Sequence, residues 1–508
     1  MTLNSIPLLA DRRVRLALSA AAGAALCTAF APSNLWLLAL LCPALLMALW
    51  QGASPRHAAA LGFWFNAGMF ATGTYWLYIS IHTIGAAPVW VALIAMAALV
   101  CILSLYGALL GWAVARWLPP HGALRWLAGL PAAWLLEEWF RGWFLTGFPW
   151  LSLGYSQTGT WMAGFAPVLG VYGVSGLLLM GAGALVALCV GTRRDRVLSG
   201  AVLVLIWVVP WSLRGISWTM PAGPAISVAI VQGAIPEDDK LQAAQLDAQM
   251  DTYRDLTRQV LGAQVIVWPE AAIPDTAKHA SDYLLARYHE AHAQHSALIL
   301  GIFRQAKDSD LYYNSVLTLG ESVDWYDKQH LVPFTEAIPG PRFARQWLEF
   351  MNLPFEGFAY GASDQRPIAA GGLVLLPAIC YDDAYGSSNL HMLPAANALV
   401  TVTNDGWFSH STARYQHLQI AQMRSIETGR YLIRAANDGI SAIIGPDGRL
   451  LAEAPGFVRA VLRGSVVPMR GLPPYARVGN WLIISLSATT LALILAWRFV
   501  RAKRNLGS

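Results

Sequence analysis

Long apolar runs are the feature that most constrains this chain. A helix needs about 20 consecutive apolar residues to cross the hydrocarbon core of a bilayer. Eight runs approach or exceed that length, at 13–31, 35–50, 58–80, 89–115, 123–140, 163–190, 197–214 and 481–500. Only 13% of the 508 residues are charged, against about 25% in soluble domains. The sequence therefore predicts a membrane α-helical bundle of about eight transmembrane helices.

Two of these runs are weaker than the others. The second, 35–50, is short, and the fifth, 123–140, ends beside Glu137, Glu138 and Arg141. Charged residues at a membrane boundary suggest function by default, but we interpret this group as mutually paired side chains at the interface.

Basic residues beside the runs orient the predicted helices, because Lys and Arg in short loops stay on the cytoplasmic side. Five segments that would lie on one side carry Arg12, Arg13 and Arg15; Arg56; Arg116 and Arg125; Arg193, Arg194 and Arg196; and Arg498, Arg501, Lys503 and Arg504. Among lysines and arginines, the opposite short loops contain only Arg141. We therefore expect both termini in the cytoplasm and the stretch 217–477 to be exported, which in a bacterial inner membrane means the periplasm.

This topology divides the chain into three parts. Residues 1–216 are predicted to form a transmembrane domain of seven helices, residues 217–477 an exported domain, and residues 478–508 a last helix with a cytoplasmic tail. The net charge of +5 is modest, and the basic residues lie beside the apolar runs rather than on one patch. Nucleic acid is therefore excluded as a partner.

The exported part has the pattern of an α/β domain. Apolar, strand-like runs lie at 226–231, 265–268, 298–303, 373–379, 399–403, 431–435 and 441–444. Charged stretches with helical character, around 241–261, 280–295 and 411–428, alternate with them. Strands that are apolar throughout are typical of a sheet covered on both faces.

Only one of the five cysteines lies outside the apolar runs. Cys380 follows the apolar segment 375–379 and precedes Tyr381, Asp382 and Asp383. The other cysteines lie within apolar runs, where a thiol behaves as a small hydrophobe. A buried structural cysteine is the alternative interpretation of Cys380, since cysteine is among the most buried residue types.

Two further reactive side chains follow strand-like segments. Glu270 comes after 265–269, and Lys328 comes after 325–327. Functional groups of an open α/β sheet gather at the carboxyl ends of its strands. A thiol becomes a nucleophile when a base takes its proton and a cation stabilises the charge. Taken singly, an acid or a lysine in such a position is usually a surface residue, but the three together form a sufficient catalytic set.

The surroundings of these residues resemble the nitrilase, or carbon-nitrogen hydrolase, superfamily. The motifs are Trp-Pro-Glu at 268–270, Tyr-Asp-Lys-Gln-His-Leu-Val-Pro-Phe-Thr-Glu at 326–336 and Cys-Tyr-Asp at 380–382. Joined to eight apolar runs, they resemble the apolipoprotein N-acyltransferase family over essentially the whole chain. The segments 231–233, 403–408 and 434–439 extend this resemblance.

The resemblance implies an αββα sandwich that carries a catalytic triad. Glu270 is expected to be the general base, Lys328 the cation that stabilises the oxyanion, and Cys380 the nucleophile. Glu336 matches an additional glutamate of the family. Tyr381 and Trp407 match aromatic positions that line the site.

The resemblance also implies the substrates. Cys380 would take an acyl chain from a phospholipid, usually phosphatidylethanolamine, as a thioester. The α-amino group of a diacylglyceryl-cysteine on an apolipoprotein would then attack it. The implied partners are the membrane and these two lipids, with no cofactor or metal and with the protein acting as a monomer.

Two departures from the family pattern affect positions outside the triad. The family usually has Cys-Tyr-Glu, whereas this chain has Asp382, which is one methylene shorter. The family often has an aromatic residue after the lysine near 235–236, whereas Lys240 is followed by Leu241.

Other functions have weaker support. A membrane-tethered amidase or nitrilase would use the same triad with water as acceptor, but it would need neither many spans nor export. A transporter would need buried charges or interrupted helices in its spans. His289, His292 and His295 lack the spacing of an HExxH zinc motif, so we do not predict a metal site there.

Overall fold

The structure is a computed structural model that describes residues 11–240, 242–307, 309–337 and 357–506. Leu241 lies outside the described residues. The chain forms two compact units, one comprising Met1–Ile216 with Val478–Ser508 and the other Ser217–Arg477.

The first unit is built from helices. They are α1 Arg12–Leu26, α2 Leu38–Leu49, α3 Pro55–Gly73, α4 Trp76–Tyr78, α5 Val89–Trp117, α6 Leu130–Arg141, α7 Ala166–Val190, α8 Arg193–Arg214 and, at the end of the chain, α14 Trp481–Leu506. Short π-helical segments, Ile79–Ile84 and Leu124–Gly129, follow α4 and precede α6.

Four helical segments in the described part of the chain are long and apolar enough to cross a membrane. They are Val89–Trp117, Trp161–Val190, Arg193–Arg214 and Trp481–Arg504. The remaining four predicted runs are also helical, but α1, α2 and α6 have 15, 12 and 12 residues, and α3 begins with Pro-Arg-His. A helical region with four candidate spans is therefore established, and a count of eight stays a prediction.

Small residues let helices of this unit approach closely. A Cβ on Gly62 of α3 would lie 2.0 Å from the carbonyl oxygen of Gly107 of α5. The approach is mutual, because a Cβ on Gly107 would lie 2.5 Å from the carbonyl oxygen of Gly62. Such contacts are typical of helix pairs in membranes, where packing replaces the hydrophobic effect as the driving force.

The second unit contains two larger sheets and a two-stranded ribbon. Its strands are β1 Met220–Pro221, β2 Ile226–Gln232, β3 Val265–Val267, β4 Ile273–Thr276, β5 Ala297–Gln305, β6 Tyr312–Leu319, β7 Val323–Asp327, β8 Ile368–Ala370, β9 Leu373–Ile379, β10 Ala398–Thr403, β11 Leu432–Ala436, β12 Ala442–Ile444, β13 Leu450–Glu453, β14 Ala460–Val466 and β15 Met469–Arg470. The sheets have the orders β14-β2-β3-β5-β6-β7, with β4 beside β5, and β13-β12-β11-β10-β9-β8, while β1 pairs with β15.

Helices cover the outer faces of both sheets. They are α9 Glu237–Lys240, α10 Leu246–Arg258, α11 Ser281–His292, α12 Ala413–Thr428 and α13 Pro474–Val478. One core lies between the sheets and combines residues of β2, β3 and β5 with residues of β9, β10 and β11. A second core joins the first sheet to α10 and α11, and a third joins the second sheet to α12. The result is an αββα arrangement.

Parallel pairing brings functional strand ends to the same edge of each sheet. β3 runs parallel to β2 and β5, and β10 runs parallel to β9 and β11. Glu270 follows β3, Cys380 follows β9, and Asn404 follows β10. The segment after β3 lies so close to β5 that a Cβ on Gly301 would lie 2.5 Å from the carbonyl oxygen of Pro269.

Gly301→Ala tests this close approach. The added methyl must displace backbone at residues 269–271, because backbone atoms surround its position within 2.6 Å. We expect a loss of about 1–3 kcal/mol in the free energy of unfolding, the usual cost of overpacking. The thermal midpoint of the full-length protein measures it. Gly223→Ala is the control, since its methyl would find the nearest atom at 3.7 Å; equal midpoints for both variants would contradict the prediction.

Candidate active site

Glu270 is held in place by several hydrogen bonds. Its Oε1 accepts from Asn314 Nδ2 at 2.7 Å and from Lys328 Nζ at 3.2 Å, and its Oε2 accepts from the backbone amide of Asn404 at 2.9 Å. The carbonyl oxygen of Glu270 accepts from the buried Lys240 Nζ at 2.9 Å. These contacts fix both the carboxylate and the backbone of Glu270.

Lys328 lies between two carboxylates. Its Nζ is 3.2 Å from Glu270 Oε1 and 2.9 Å from Glu336 Oε1, and the side chain is 1% exposed. Burial alone would lower the pKa of this lysine, but the charges of Glu270 and Glu336 outweigh burial and hold the pKa of Lys328 well above its usual value. The ammonium therefore stays charged inside the protein.

Asn314 and Glu336 complete this cluster. Asn314, on β6, donates from one Nδ2 to both Glu270 Oε1 and Glu336 Oε1, at 2.7 and 3.1 Å. Glu336 Oε2 accepts from the backbone amide of Val332 at 2.7 Å, which fixes the turn that carries this glutamate. The two carboxylates are thus locked on either side of the ammonium.

Cys380 begins the turn that follows β9. Its φ is 49°, a left-handed conformation that residues other than glycine rarely adopt and that costs of order 1–3 kcal/mol. Such strain at the end of a strand is typical of residues held for function. The side chain is 9% exposed.

The thiol of Cys380 keeps its proton in the resting state. Burial raises the pKa of this thiol far above its usual value, and the nearby Glu270 carboxylate raises it further, while Lys328 opposes both. We expected the cation Lys328 to favour the thiolate, but burial outweighs its effect and the thiol keeps its proton.

Beneath Cys380 lies a cluster of four buried ionisable groups. His417, on α12, places Nδ1 2.9 Å from Asp405 Oδ1 and Nε2 3.2 Å from the carbonyl oxygen of Cys380. Arg434 Nη2 donates to Asp405 Oδ2 at 3.0 Å, and Arg434 Nη1 donates to Asp383 Oδ2 at 3.3 Å. Although burial opposes ionisation, Arg434 and His417 lower the pKa of Asp405 to about 2.

The hydrogen bonds of His417 define its role in this cluster. One ring nitrogen of His417 contacts the Asp405 carboxylate, and the other contacts the carbonyl oxygen of Cys380. The guanidinium of Arg434 pairs with both Asp383 and Asp405, and pairing of this kind makes buried charge tolerable. The bond from His417 also holds the main chain of Cys380 in place.

Asp382, the first departure from the family pattern, links the nucleophile turn to the turn after Lys328. Its Oδ1 accepts from the amide of His330 at 2.8 Å, and its Oδ2 accepts from Tyr326 Oη at 3.1 Å and from the amide of Ile379 at 3.2 Å. Burial raises the pKa of Asp382 to about 7. The shorter side chain therefore still reaches partners on both segments.

The two predicted aromatic residues lie on turns beside the triad. Tyr381 follows Cys380 directly, is half-buried, and packs edge-on against Tyr385 with ring centroids 5.2 Å apart. Tyr385 in turn stacks on His330 at 3.8 Å. Trp407 is half-buried in the 3-10 turn Asp405–Phe408 that follows β10.

Comparison with known proteins identifies the family. Residues 22–184 match the profile of the apolipoprotein N-acyltransferase N-terminal domain, and residues 227–467 match that of carbon-nitrogen hydrolase. A carbon-nitrogen hydrolase structure from Helicobacter pylori aligns with 55% of this chain and 94% of its own length, at 16% identity and a TM-score of 0.36.

Two curated relatives decide the assignment. The apolipoprotein N-acyltransferase of Azotobacter vinelandii is 41% identical over 493 residues, 96% of this chain and 95% of that protein. The apolipoprotein N-acyltransferase of Pseudomonas putida is 40% identical over 491 residues, 96% of each. This chain belongs to the apolipoprotein N-acyltransferase family.

Membership in the apolipoprotein N-acyltransferase family makes this chain a membrane-associated acyltransferase whose substrate is a lipoprotein. The carbon-nitrogen hydrolase fold of its second unit suits a mechanism through an acyl-enzyme. The structure brings the sequence-predicted Glu270, Lys328 and Glu336 into one buried hydrogen-bonded cluster, and it places Cys380 close enough for the charges of Glu270 and Lys328 to act on its thiol.

Sequence reasoning missed several residues that support the triad. Asn314, Lys240 and His417 contact the triad directly, yet none was chosen as a candidate. Asn314 offered a signal, because it is an amide within the otherwise strand-like run 312–319. His417 offered none, since a single histidine in a mixed helix is usually structural.

Asp405→Asn tests the charge balance beneath the nucleophile. The amide removes the negative charge that pairs with the buried guanidinium of Arg434, so we expect a loss of about 3–5 kcal/mol in the free energy of unfolding. The thermal midpoint of the full-length protein reports it. Asp447→Asn, which alters an exposed pair with Arg449, should change stability by less than about 0.5 kcal/mol. A similar small effect at both positions would refute the charge balance.

Proposed function

We propose that Cys380 carries the acyl chain as a thioester between a phospholipid donor, such as phosphatidylethanolamine, and the α-amino group of a diacylglyceryl-cysteine on an apolipoprotein. The observation that carries this proposal is the buried thiol of Cys380 at the end of β9, within the electrostatic reach of the hydrogen-bonded pair of Glu270 and Lys328. Such a thiol is inert until substrate arrives, and a base stands ready to activate it.

In the first half-reaction, Glu270 takes the thiol proton as the sulfur attacks the ester carbonyl of the phospholipid. The resulting oxyanion is stabilised by the ammonium of Lys328, which two carboxylates keep charged. The tetrahedral intermediate collapses, and the proton on Glu270 passes to the departing oxygen. The products are a lysophospholipid and an acyl-thioester on Cys380.

In the second half-reaction, Glu270 is again ionised and takes a proton from the ammonium of the acceptor. Glu270 releases that proton to water. The neutral amine attacks the thioester carbonyl, Glu270 takes the second proton from the nitrogen as the amide forms, and this proton passes to the departing thiolate of Cys380. Glu336 supports Lys328 through both steps, and Tyr381 and Trp407 line the site. Neither half-reaction needs a cofactor, and a single chain carries every group, so the enzyme acts as a monomer.

The membrane placement forms part of the same proposal. Eight crossings, with the basic segments in the cytoplasm, put residues 217–477 in the periplasm and the residues on either side, 1–216 and 478–508, in or next to the bacterial inner membrane. Both substrates are lipids anchored in that membrane. A catalytic domain held at its surface meets both.

Cys380→Ser tests the intermediate. Serine's hydroxyl is far less acidic than a thiol, and a carboxylate is too weak a base to activate it, so transfer should fall at least about 1,000-fold while the protein stays folded. Intact-mass analysis after incubation with phosphatidylethanolamine should find an acyl adduct on the wild type that hydroxylamine removes, and none on the variant. Full transfer by Cys380→Ser, or an adduct on Cys27, Cys42, Cys101 or Cys189, would overturn the proposal.

Membrane orientation can be tested by labelling. A membrane-impermeant maleimide added to intact spheroplasts should react with an Asp364→Cys variant and spare an Arg504→Cys variant, both of which place the new thiol at an exposed position. Permeabilised cells should label both. Labelling of Arg504→Cys but not Asp364→Cys in intact spheroplasts would reverse the proposed orientation.

A further inference from the structure

A second polar group lies beside Glu270 and is not used by the mechanism above. Glu237 at the start of α9, Asn404 after β10 and Asp438 after β11 converge on one face of Gly406. From the position that a Cβ on Gly406 would take, Asp438 Oδ2 is 2.6 Å away, Glu237 Oε2 is 3.0 Å and Asn404 Oδ1 is 3.3 Å. We call these three residues the oxygen cluster.

Asp438 is the member of the oxygen cluster whose carboxylate lacks a hydrogen-bond donor on one oxygen. The residue is 5% exposed, and its Oδ1 has no hydrogen-bond partner among the described residues. A buried carboxylate oxygen without a donor is costly. Burial raises the pKa of Asp438 to about 7, and the charge of Asp405 adds to that effect.

The nearest lysine does not neutralise Asp438 directly. Lys240 influences the Asp438 carboxylate through its charge, but its Nζ donates to the carbonyl oxygen of Glu270 at 2.9 Å. Among the described residues, no ion pair within 4.0 Å joins Asp438 to a cation. The carboxylate therefore retains the capacity to accept from a positively charged donor.

The orientation of Asn404 adds a further acceptor. Its Nδ2 donates to Glu237 Oε2 at 2.7 Å, and its Oδ1 accepts from Asn437 Nδ2 at 3.3 Å. Asn437 is itself fixed by donating to the carbonyl oxygen of Ile235 at 2.8 Å. The amide of Asn404 is thus held with its oxygen toward Gly406, and the cluster offers oxygens from two acids and one amide.

The cluster lies next to the reacting groups. The backbone amide of Asn404 donates to Glu270 Oε2 at 2.9 Å. Asn404 is therefore both a member of the oxygen cluster and a direct contact of Glu270. A primary ammonium has three N–H donors and matches a group of oxygen acceptors. Two substrate groups of the proposed reaction have this chemistry, namely the α-amine of the acceptor and the ethanolamine of the donor.

We infer that Glu237, Asn404 and Asp438 form a subsite for a primary ammonium group of the substrate, next to the general base. The inference rests on the proposed function and deepens it by naming where the amine binds. Gly406 serves the subsite by leaving space between the three oxygens that a side chain would fill.

Asp438→Asn separates this subsite from the triad when the half-reactions are measured individually. Acylation of Cys380 is followed by intact mass with phosphatidylethanolamine or phosphatidylglycerol as donor, since the latter lacks an amine. Discharge of the preformed thioester is followed with a diacylglyceryl-cysteine peptide or with hydroxylamine, an uncharged nucleophile at neutral pH. Glu237→Gln and Gly406→Ala are parallel variants, and Asp447→Asn is the surface control.

We expect Asp438→Asn to slow discharge by the peptide about 10- to 100-fold, the loss of one charge-assisted hydrogen bond, and to leave discharge by hydroxylamine unchanged. Slower acylation from phosphatidylethanolamine with normal acylation from phosphatidylglycerol would also support the subsite and would assign it to the donor. Gly406→Ala and Glu237→Gln should slow the same reaction that Asp438→Asn slows.

Two results would overturn the inference. One is that Asp438→Asn and Glu237→Gln change none of the four rates by more than twofold, that is, acylation from either phospholipid and discharge by the peptide or by hydroxylamine. The other is an equal fall in all four arms for both variants, which would mark the cluster as structural. If the wild-type chain itself forms no thioester on Cys380, it is the proposed function that fails, not the subsite.

Discussion

The candidate active site depends on one lysine that stays charged although it is buried. An isolated buried ammonium would lose its proton, so Lys328 requires carboxylates on both sides. Glu270 arrives from the end of β3 and Glu336 from the turn after Lys328, and Asn314 on β6 ties the two together. These residues of the first sheet therefore surround one cation, and Cys380 of the second sheet lies within its electrostatic reach.

The sequence predicts much of the αββα unit, because its central strands are apolar on both faces. The runs at 373–379 and 399–403 match β9 and β10 closely, and the helical stretches at 280–295 and 411–428 match α11 and α12. β13 and β14 escaped prediction because they are partly exposed and mix polar with apolar residues. β6 escaped it because Asn314, Ser315 and Thr318 interrupt its apolar pattern.

The candidate site also contains residues that the sequence could predict and residues that it could not. Glu270, Lys328 and Cys380 could be chosen because each follows a strand and has a recognisable motif around it. Their supports could not, because they come from distant parts of the chain: Asn437 bonds to Ile235, and Asn404 to Glu270. Pairings of that kind follow only from the packing of one sheet against the other, which no local pattern encodes.

The protonated state of Cys380 has a consequence for the chemical survival of the enzyme. Disulfide exchange and peroxide oxidation both proceed through the thiolate, which burial and the Glu270 carboxylate suppress at rest. A permanently ionised nucleophile would be trapped by passing disulfides or oxidised to sulfenic acid. A thiol that ionises only during attack on a substrate, as proposed for Cys380, is protected from both reactions, so the electrostatics that would delay its activation would also preserve it.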